Sequence, residues 1–160
     1  MSNSSLVNYI KLSPNYSSRN GSKITTLTIH HVAGNLSVEE IGNVFANISR
    51  EASANYGIGS DGRVGLYVEE CYRAWTSSSY DNDRKAVTIE VANDSGAPNW
   101  HVGDKAMVKL IELCVDICKR NGIKKLNYTG DKTGNLTMHK MFTATVCPRP
   151  IFGKQVFLYC

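Results

Sequence analysis

Two short segments that alternate apolar and polar residues constrain the fold of this chain most strongly. Residues 23–31 read KITTLTIHH and lie between Gly21 and Gly34, and residues 87–91 read VTIEV. Because successive side chains of a strand point to opposite faces, each segment has one apolar and one polar face. We therefore predict two strands of a central sheet whose apolar face lies on the core.

The alternation places two neighbouring histidines on different faces of the first strand. Leu27 and Ile29 share a face with His31. His30 shares the opposite face with two threonines, and Glu90 shares a face of the second strand with another threonine. An imidazole and a carboxylate that faced the core would each need a buried partner at considerable cost. We therefore expect a wet groove on the polar side, where both groups can meet over a metal ion.

Helical patterns lie between and after the strands. Ser37-Val-Glu-Glu40 has the spacing of a capping box, and apolar residues recur at helical spacing as far as about Arg50. A longer helix begins at Asp104 and ends at Asn121-Gly122, where glycine suits a left-handed cap. Between them, Asp61-Gly62 is typical of a tight hairpin with positive φ at both positions. This order predicts an α/β or mixed α+β domain, with a central, mostly β-sheet flanked by helices.

The two ends of the chain show weaker patterns. Residues 1–22 are rich in Ser and Asn with a few apolar anchors, and we expect an arm that lies on the domain. From Leu126 onward we expect a short strand and then a long loop over residues 129–150. No internal repeat or linker divides the sequence, so it predicts a single domain.

Composition excludes several classes of protein. With 42% hydrophobic and 20% charged residues, the 160-residue chain can bury a core and is not disordered. Its apolar stretches are too short for a transmembrane helix, and its beginning lacks the pattern of a secretory signal peptide. The net charge of +4 is evenly spread, which disfavours nucleic-acid binding and leaves a solvated surface or an anionic polymer as partner.

The cysteines do not indicate a disulfide framework. Five is an odd number in a chain large enough to fold without disulfides, so we expect reduced thiols made in a cytosol. Cys114 and Cys118 lie one helical turn apart on an apolar stripe, which favours core packing over metal binding. Cys71 and Cys160 have no evident partner.

Cys147 occurs in a different context, eight positions after His139 in the long loop. Histidine and cysteine are both good zinc ligands, and a catalytic zinc ion takes three protein ligands and leaves one position for water. The loop can curl so that both side chains reach one point, with His30 as a further candidate. His31 fits packing, or support of a ligand, better than metal binding. A cysteine–histidine protease is the alternative, but Pro148 follows the thiol directly and no helix N-terminus lowers its pKa.

Four motifs follow one another in an order that is specific as a set. They are Ile29-His30-His31-Val-Ala-Gly, Asn55-Tyr56 before the hairpin, Val-Thr-Ile-Glu90-Val, and His139 with Thr145-Val-Cys147-Pro148. In this order they resemble the type 2 N-acetylmuramoyl-L-alanine amidases, which include phage endolysins, bacterial autolysins and animal peptidoglycan recognition proteins. The resemblance extends from about residue 6 to residue 150. The stretch LVNYIKLSPNYSSRNGSKI is most similar to endolysins of phages and prophages of clostridia-like hosts.

The resemblance implies a metal centre and a base. His30, His139 and Cys147 match the zinc ligands of the family, which implies one Zn²⁺ per chain. Glu90 matches the strand carboxylate that takes the proton of water and later protonates the leaving amine. Tyr56 matches a tyrosine near the metal that positions the water or the scissile carbonyl. The resemblance thus assigns the metal ligands and two of the catalytic residues.

The resemblance also implies an oxyanion contact and a substrate groove. Thr145 stands where some relatives have lysine, so a hydroxyl replaces a cation beside the developing oxyanion. Trp75 and Thr76 fall in a stretch that often lines the groove, although relatives often have histidine after the tryptophan. His31, next to the first ligand, is a further candidate for the groove.

The activity implied is hydrolysis of the amide bond between the lactyl group of N-acetylmuramic acid and L-alanine in bacterial peptidoglycan. Two alternatives stay open: a module that binds muropeptides without cutting them, and a zinc endopeptidase that cuts within the stem peptide. Relatives that only bind typically lose a ligand, often the cysteine. This chain keeps all three ligand residues and Glu90, which favours the enzyme.

The resemblance further implies where the protein is made and where it acts. We expect residues 1–160 to be a catalytic domain from a longer endolysin whose C-terminal wall-binding domain is missing from this chain. We expect synthesis in the host cytoplasm without a secretory signal peptide, and release to the wall through holin pores. We expect neither nucleic acid nor insertion into a membrane.

Overall fold

A six-stranded sheet organises residues 2–148, the part of the chain that the computed structural model describes. The strands are β1 (Tyr9–Ile10), β2 (Tyr16–Ser18), β3 (Thr26–His31), β4 (Tyr56–Ile58), β5 (Val64–Leu66), β6 (Tyr72–Ala74), β7 (Ala86–Val91) and β8 (Leu136–Met138). The helices are α1 (Val38–Ala46), α2 (Tyr80–Asp83) and α3 (Asp104–Asn121), with 3₁₀ turns at Ile48–Arg50 and His139–Met141. The large sheet has the order β1-β5-β4-β7-β3-β8, and β2 and β6 form an antiparallel ribbon. The predicted mixed α+β fold is confirmed.

The two strands with alternating sequences, β3 and β7, are parallel neighbours within this sheet. Their register pairs Thr28 with Thr88 and His30 with Glu90. Because paired residues of a ladder point to the same side, His30 and Glu90 share a face, as the alternation predicts. The carboxyl ends of both strands therefore present an imidazole and a carboxylate side by side.

The polar face of β3 and β7 is mostly covered, so the prediction of a wet groove along it is wrong. Thr28 and Thr88 are fully buried. Asn82 of α2 donates a 2.9 Å hydrogen bond to the Thr28 hydroxyl, and the hydroxyls of Thr76 and Thr88 lie 2.8 Å apart. Polar groups that bond one another can be buried at little cost. Glu90, at the carboxyl end of β7, keeps 14% of its side chain exposed.

Helix α3 covers the apolar face of the sheet, as its stripe predicts. Met107, Leu110 and Cys114 are buried in one core cluster with the apolar side chains of β3 and β7. Gly122 ends the helix with a φ of 68°, and its N–H bonds to the Cys118 carbonyl. The left-handed cap that Asn121-Gly122 predicts is therefore present.

Helix α1 is shorter than its sequence pattern predicts. The capping box of Ser37 and Glu40 forms, but the helix ends at Ala46. Asn47 then caps a separate 3₁₀ turn by accepting a backbone N–H with its side chain. Such a side chain offers the backbone a hydrogen bond that competes with the helix. Ile48, which the periodicity places on the buried stripe, is consequently 69% exposed.

Three other expectations differ from the structure. The N-terminal segment is more than an arm, because β1 joins the large sheet and β2 joins the ribbon. Strand β8 lies inside the predicted loop, and Leu126 lies outside the strands of the described region. In the hairpin, Gly62 has a positive φ but Asp61 does not. Elements of two or three residues are too short to show a period in sequence.

Two expectations about the whole chain can be compared with residues 2–148. The cysteines described there, at positions 71, 114, 118 and 147, form no disulfide. Helices within the described region lack the combination of length and apolarity that a bilayer span requires. Residues 149–160, which include Pro150 and Cys160, lie outside the described residues.

Candidate metal centre and active site

Three side chains that are distant in sequence meet at the carboxyl end of β3. His30 lies near the end of β3, His139 directly follows β8, and Cys147 lies in the loop beyond. Because β3 and β8 are parallel neighbours, the two imidazoles reach the same edge of the sheet. The ligand atoms of all three residues lie within 4.8 Å of one another. The Cys147 Sγ atom is 3.9 Å from His30 Nδ1, and the two imidazole centroids are 4.7 Å apart.

Backbone hydrogen bonds hold the Cys147 loop in place. The Lys140 N–H donates to the Cys147 carbonyl at 2.8 Å, and the Cys147 N–H donates to the Thr145 hydroxyl at 3.3 Å. The N–H of His31 donates to Cys147 Sγ at 3.4 Å. A hydrogen bond from an amide stabilises a sulfur that carries negative charge. The Cys147 sulfur faces one such backbone donor of β3, and the His31 carbonyl oxygen lies 3.7 Å from the same sulfur.

Several polar atoms of this cluster have no hydrogen-bond partner among residues 2–148. They are His30 Nε2, His139 Nε2 and Glu90 Oε2, and all three are buried. Leaving a buried polar atom without a hydrogen bond costs about 1–3 kcal/mol. Three such atoms at one place therefore indicate a site for a bound ligand. Two imidazoles and a thiolate form a donor set typical of zinc. Because their ligand atoms lie within 4.8 Å of one another, the residues fit a zinc ion.

Burial favours the neutral form of both imidazoles in the cluster. Desolvation lowers the pKa of His30 well below its ordinary value, and the nearby His139 and His31 lower it further. Desolvation also lowers the pKa of the half-buried His139. A neutral imidazole has a nitrogen lone pair available for a metal. The electrostatics of the site therefore favour the form of histidine that binds a cation.

Glu90 lies beside the cluster and has the properties of a general base. Its Oε1 atom is 3.9 Å from His30 Nδ1. Desolvation raises the pKa of Glu90 to about 7, and the charge of Arg50 partly opposes this rise. A carboxyl group with a pKa close to neutrality can accept a proton and return it in the same reaction cycle.

Tyr56 does not lie at this site, which contradicts its predicted role near the metal. In the ladder of β4 and β7 it pairs with Ile89, so its ring lies on the apolar face, opposite to Glu90. It is fully buried, and its hydroxyl donates to Glu70 at 2.6 Å and accepts the Ser4 N–H at 2.8 Å. A shift of one residue along a strand reverses the face, which a sequence motif does not reveal.

Trp75 and Thr76 lie beside the polar end of the sheet. Both residues line a surface cavity of about 250 Å³. The Trp75 indole N–H donates to the Ser17 hydroxyl at 3.1 Å, and the Thr76 hydroxyl contacts that of Thr88. Because Thr88 lies two residues before Glu90 on the same face of β7, this cavity lies on the same side of the sheet as the carboxylate.

His31 is not a wall of a groove, contrary to one prediction. It is 6% exposed, and its ring packs edge-on against Trp100 with centroids 5.9 Å apart. Its Nδ1 atom is 3.1 Å from Asn93 Oδ1. The alternative prediction, that His31 packs near a ligand, agrees with this placement.

Sequence reasoning missed the buried polar residues that pack on the polar face of β3 and β7. Asp83 is 2% exposed, and its carboxylate accepts hydrogen bonds from the Ser77 hydroxyl at 2.6 Å and the Thr76 N–H at 3.0 Å. Asn82 is also buried there. Asn82 and Asp83 belong to α2, a helix of four residues that is too short to show a period in sequence. The signal that could have found them is the row of threonines on β3 and β7, since buried hydroxyls need polar partners.

The fold and the site together define a class of protein. A partly buried His-His-Cys cluster beside a carboxylate, at the edge of a mixed sheet, is a set of groups that suits a metal ion and hydrolytic chemistry. Residues 20–150 match the sequence model of the Amidase_2 family, N-acetylmuramoyl-L-alanine amidase. The chain belongs to this family of enzymes. No curated protein matches the sequence.

Solved structures of low sequence identity share the fold. A mutant endolysin from Bacillus subtilis has 18% identity and a TM-score of 0.70, over 92% of this chain and 94% of that one. The N-acetylmuramoyl-L-alanine amidase LysC from Clostridium intestinale has 20% identity and a TM-score of 0.64, over 93% and 91%. The Drosophila peptidoglycan recognition protein SA has 18% identity and a TM-score of 0.64, over 87% and 84%.

Proposed function

We propose that this chain is a zinc-dependent amidase that hydrolyses the bond between N-acetylmuramic acid and L-alanine in bacterial peptidoglycan. Family membership supports the type of bond. The observation that carries the zinc dependence is the convergence of His30, His139 and Cys147 within 4.8 Å, beside the carboxylate of Glu90. Each chain would hold one zinc ion.

The residues of the site divide the chemistry among them. A bound zinc ion supplies a Lewis acid for the scissile carbonyl and for the attacking water. Glu90 accepts a proton from the water as its oxygen bonds to the carbonyl carbon. It then gives a proton to the L-alanine nitrogen as the carbon–nitrogen bond breaks. The neutral imidazoles of His30 and His139 and the thiolate of Cys147 would hold the cation.

Thr145 is the candidate for contact with the developing oxyanion. Its oxygen accepts the Cys147 N–H, so its own hydroxyl proton remains available to donate. A donor directed at the charge that forms in the transition state lowers the barrier without binding the ground state more tightly. The same loop would then supply one metal ligand and one donor.

Digestion of purified Gram-positive cell walls tests this function. We expect new L-alanine amino termini and intact glycan strands by mass spectrometry, with one zinc per chain by metal analysis. A chelator should abolish the release, and added zinc should restore it. Wall binding without release would indicate a binding module, and a different new amino terminus would indicate an endopeptidase.

We also propose that the chain is the catalytic domain of a phage or prophage endolysin from a clostridia-like host. The motif resemblance of the N-terminal stretch supports this origin. On this proposal the protein is made in the host cytoplasm, carries a C-terminal wall-binding domain in its longer form, and is released through holin pores. Lysis of clostridial walls in preference to other Gram-positive walls tests the host assignment.

A further inference from the structure

A buried asparagine behind the metal cluster joins three segments of the chain. Asn93 is fully buried, and its backbone N–H donates to the Gly34 carbonyl at 2.9 Å. Its side-chain N–H₂ group donates to the Trp100 carbonyl at 2.8 Å. The Trp100 carbonyl oxygen only accepts hydrogen bonds, so its contact with the N–H₂ group fixes the orientation of the Asn93 amide. Asn93 Oδ1 consequently faces His31 Nδ1, which lies 3.1 Å away. The Nδ1 atom of His31 therefore carries a proton.

Trp100 contacts both Asn93 and the His31 imidazole. Its φ of 49° lies in the left-handed region, which bulky side chains rarely adopt. Its N–H donates to the Gly96 carbonyl at 2.9 Å, and its carbonyl accepts the Asn93 side chain. The indole packs edge-on against the His31 ring. The imidazole of His31 is thus clamped between an amide and an indole.

The backbone of His31 connects this clamp to the metal cluster. Its N–H donates to Cys147 Sγ at 3.4 Å, and its carbonyl oxygen lies 3.7 Å from the same sulfur. His31 also directly follows His30 on β3. A rotation of the His31 residue would move the N–H that faces the sulfur and disturb the adjacent ligand. Partners that orient metal ligands typically contribute 10–100-fold to metal affinity.

We propose that Asn93 is a positioning residue of the metal centre. By holding the His31 imidazole, it fixes the N–H group that binds the Cys147 sulfur and thereby strengthens metal binding. The proposal rests on the proposed function only for the presence of the metal. The contacts themselves belong to the described structure.

The replacement Asn93→Leu tests this role, because leucine keeps the number and branching of the side-chain heavy atoms but removes both side-chain hydrogen bonds. We expect a roughly 10–100-fold weaker affinity for zinc in competition with a chromophoric chelator. We also expect a shift of the thiolate-to-metal absorption band after cobalt is bound in place of zinc. A purely structural role would lower the stability of the metal-free protein and leave that band unchanged.

Two variants of His31 provide a matched pair. His31→Leu removes the donor to Asn93 and should weaken zinc binding as Asn93→Leu does. His31→Asn retains an N–H group near the Nδ1 position. Its zinc affinity should fall by much less than roughly tenfold, the lower end of the range for partners that orient metal ligands. As a control, Asn15→Leu removes another buried asparagine that bonds backbone carbonyls, and it should leave zinc affinity unchanged.

The outcomes separate this inference from the proposed function. Equal zinc affinities for wild type, Asn93→Leu and His31→Leu would overturn the positioning role alone. A wild-type protein that binds no zinc would refute both proposals. If Asn93→Leu does not fold, the zinc affinities of the two His31 variants test the positioning role, since both variants keep the Asn93 bonds to Gly34 and Trp100. Equal affinities of those two variants would then overturn the role.

Discussion

At the scale of single residues, burial gives ordinary side chains the properties that the proposed chemistry requires. The pKa of Glu90 rises to about 7 because its carboxylate is desolvated. Desolvation lowers the pKa of His30 and keeps it neutral. The two shifts have opposite directions because burial always disfavours the charged form. Burial is therefore the largest cause of the pKa shifts of both the proposed base, Glu90, and the proposed metal ligand, His30.

The role of Glu90 predicts the behaviour of Glu90→Gln. Glutamine keeps the size of the side chain but accepts no proton, so we expect kcat to fall by roughly 10²–10⁴-fold with zinc content unchanged. Glu112→Gln, on the exposed side of α3, is the control and should retain full activity. Full activity of Glu90→Gln in a wall-digestion assay would show that another group is the base.

The role of Cys147 predicts that Cys147→Ser loses zinc. A neutral hydroxyl is a poorer ligand than a thiolate, so the loss of affinity should exceed the roughly 10–100-fold that supporting residues contribute. Chelator competition measures it. Cys71→Ser alters an exposed thiol and should bind zinc as the wild type does. Unchanged affinity of Cys147→Ser would remove this residue from the ligand set.

At the scale of elements, caps and ion pairs set where the helices begin and end. Helix α1 has its capping box, and its first turn carries Glu39, which Arg63 binds through both guanidinium N–H₂ groups at 2.6 and 2.7 Å. Helix α3 has no side-chain cap at its beginning and depends on Gly122 at its end. Each feature predicts a measurable change in stability.

The pair of Glu39 and Arg63 predicts a pH dependence. Hydrogen bonds from Arg63 lower the pKa of Glu39 below its ordinary value of 4.5. A lowered carboxyl pKa adds stability that is present above the unfolded pKa and is lost as the pH falls through the folded pKa. Glu39→Gln should therefore be less stable than wild type at pH 7, and urea unfolding should show the difference vanish in acid. If the difference in the free energy of unfolding between the two proteins persists at acidic pH, its cause is packing and not the charge of Glu39.

The left-handed cap of α3 predicts the effect of Gly122→Ala. An added Cβ at Gly122 would meet no atom within 4 Å, so the cost comes from its φ of 68° alone. We expect a loss of about 1 kcal/mol in the free energy of unfolding. Gly96 has equally open surroundings without a positive φ, so Gly96→Ala should be unchanged or slightly more stable. Equal losses in the two variants would contradict the explanation.

At the scale of the whole molecule, a buried ion pair ties distant parts of the chain together. Glu70 is fully buried and accepts hydrogen bonds from Arg120 of α3 at 2.6 and 2.9 Å. It also accepts the Tyr56 hydroxyl from the sheet and binds Asn3 through its backbone N–H. The role of Tyr56 is therefore to join the sheet, α3 and the N-terminal segment.

This ion pair predicts a large effect of Arg120→Met. The variant leaves the carboxylate of Glu70 buried without its charged partner, which costs about 3–5 kcal/mol in the free energy of unfolding. Lys109→Met removes a surface ion pair of the same helix and should cost less than about 1 kcal/mol. Urea unfolding of both variants checks the comparison. Similar small losses would mean that water solvates Glu70 once Arg120 is removed.

The extent of correct prediction differs between parts of the molecule. The alternation in β3 and β7 and the cap at Gly122 involve residues within a few positions, so the sequence displays them directly. Strand β1 has two residues and exists because it pairs with β5 across the molecule. The inward face of Tyr56 depends on the register of β4 against β7, which no local pattern encodes.

The sequence by itself determined the period of the central strands, the helix caps and the presence of two imidazoles, a thiolate and a carboxylate. The tertiary structure decided that these groups share one edge of the sheet, that Asn82 and Thr76 bond the buried threonines of the polar face, and that Tyr56 lies in the core. The reason is that periodicity and capping act through neighbours in the chain. Burial, register and the pKa of Glu90 arise from contacts between residues that are distant in sequence.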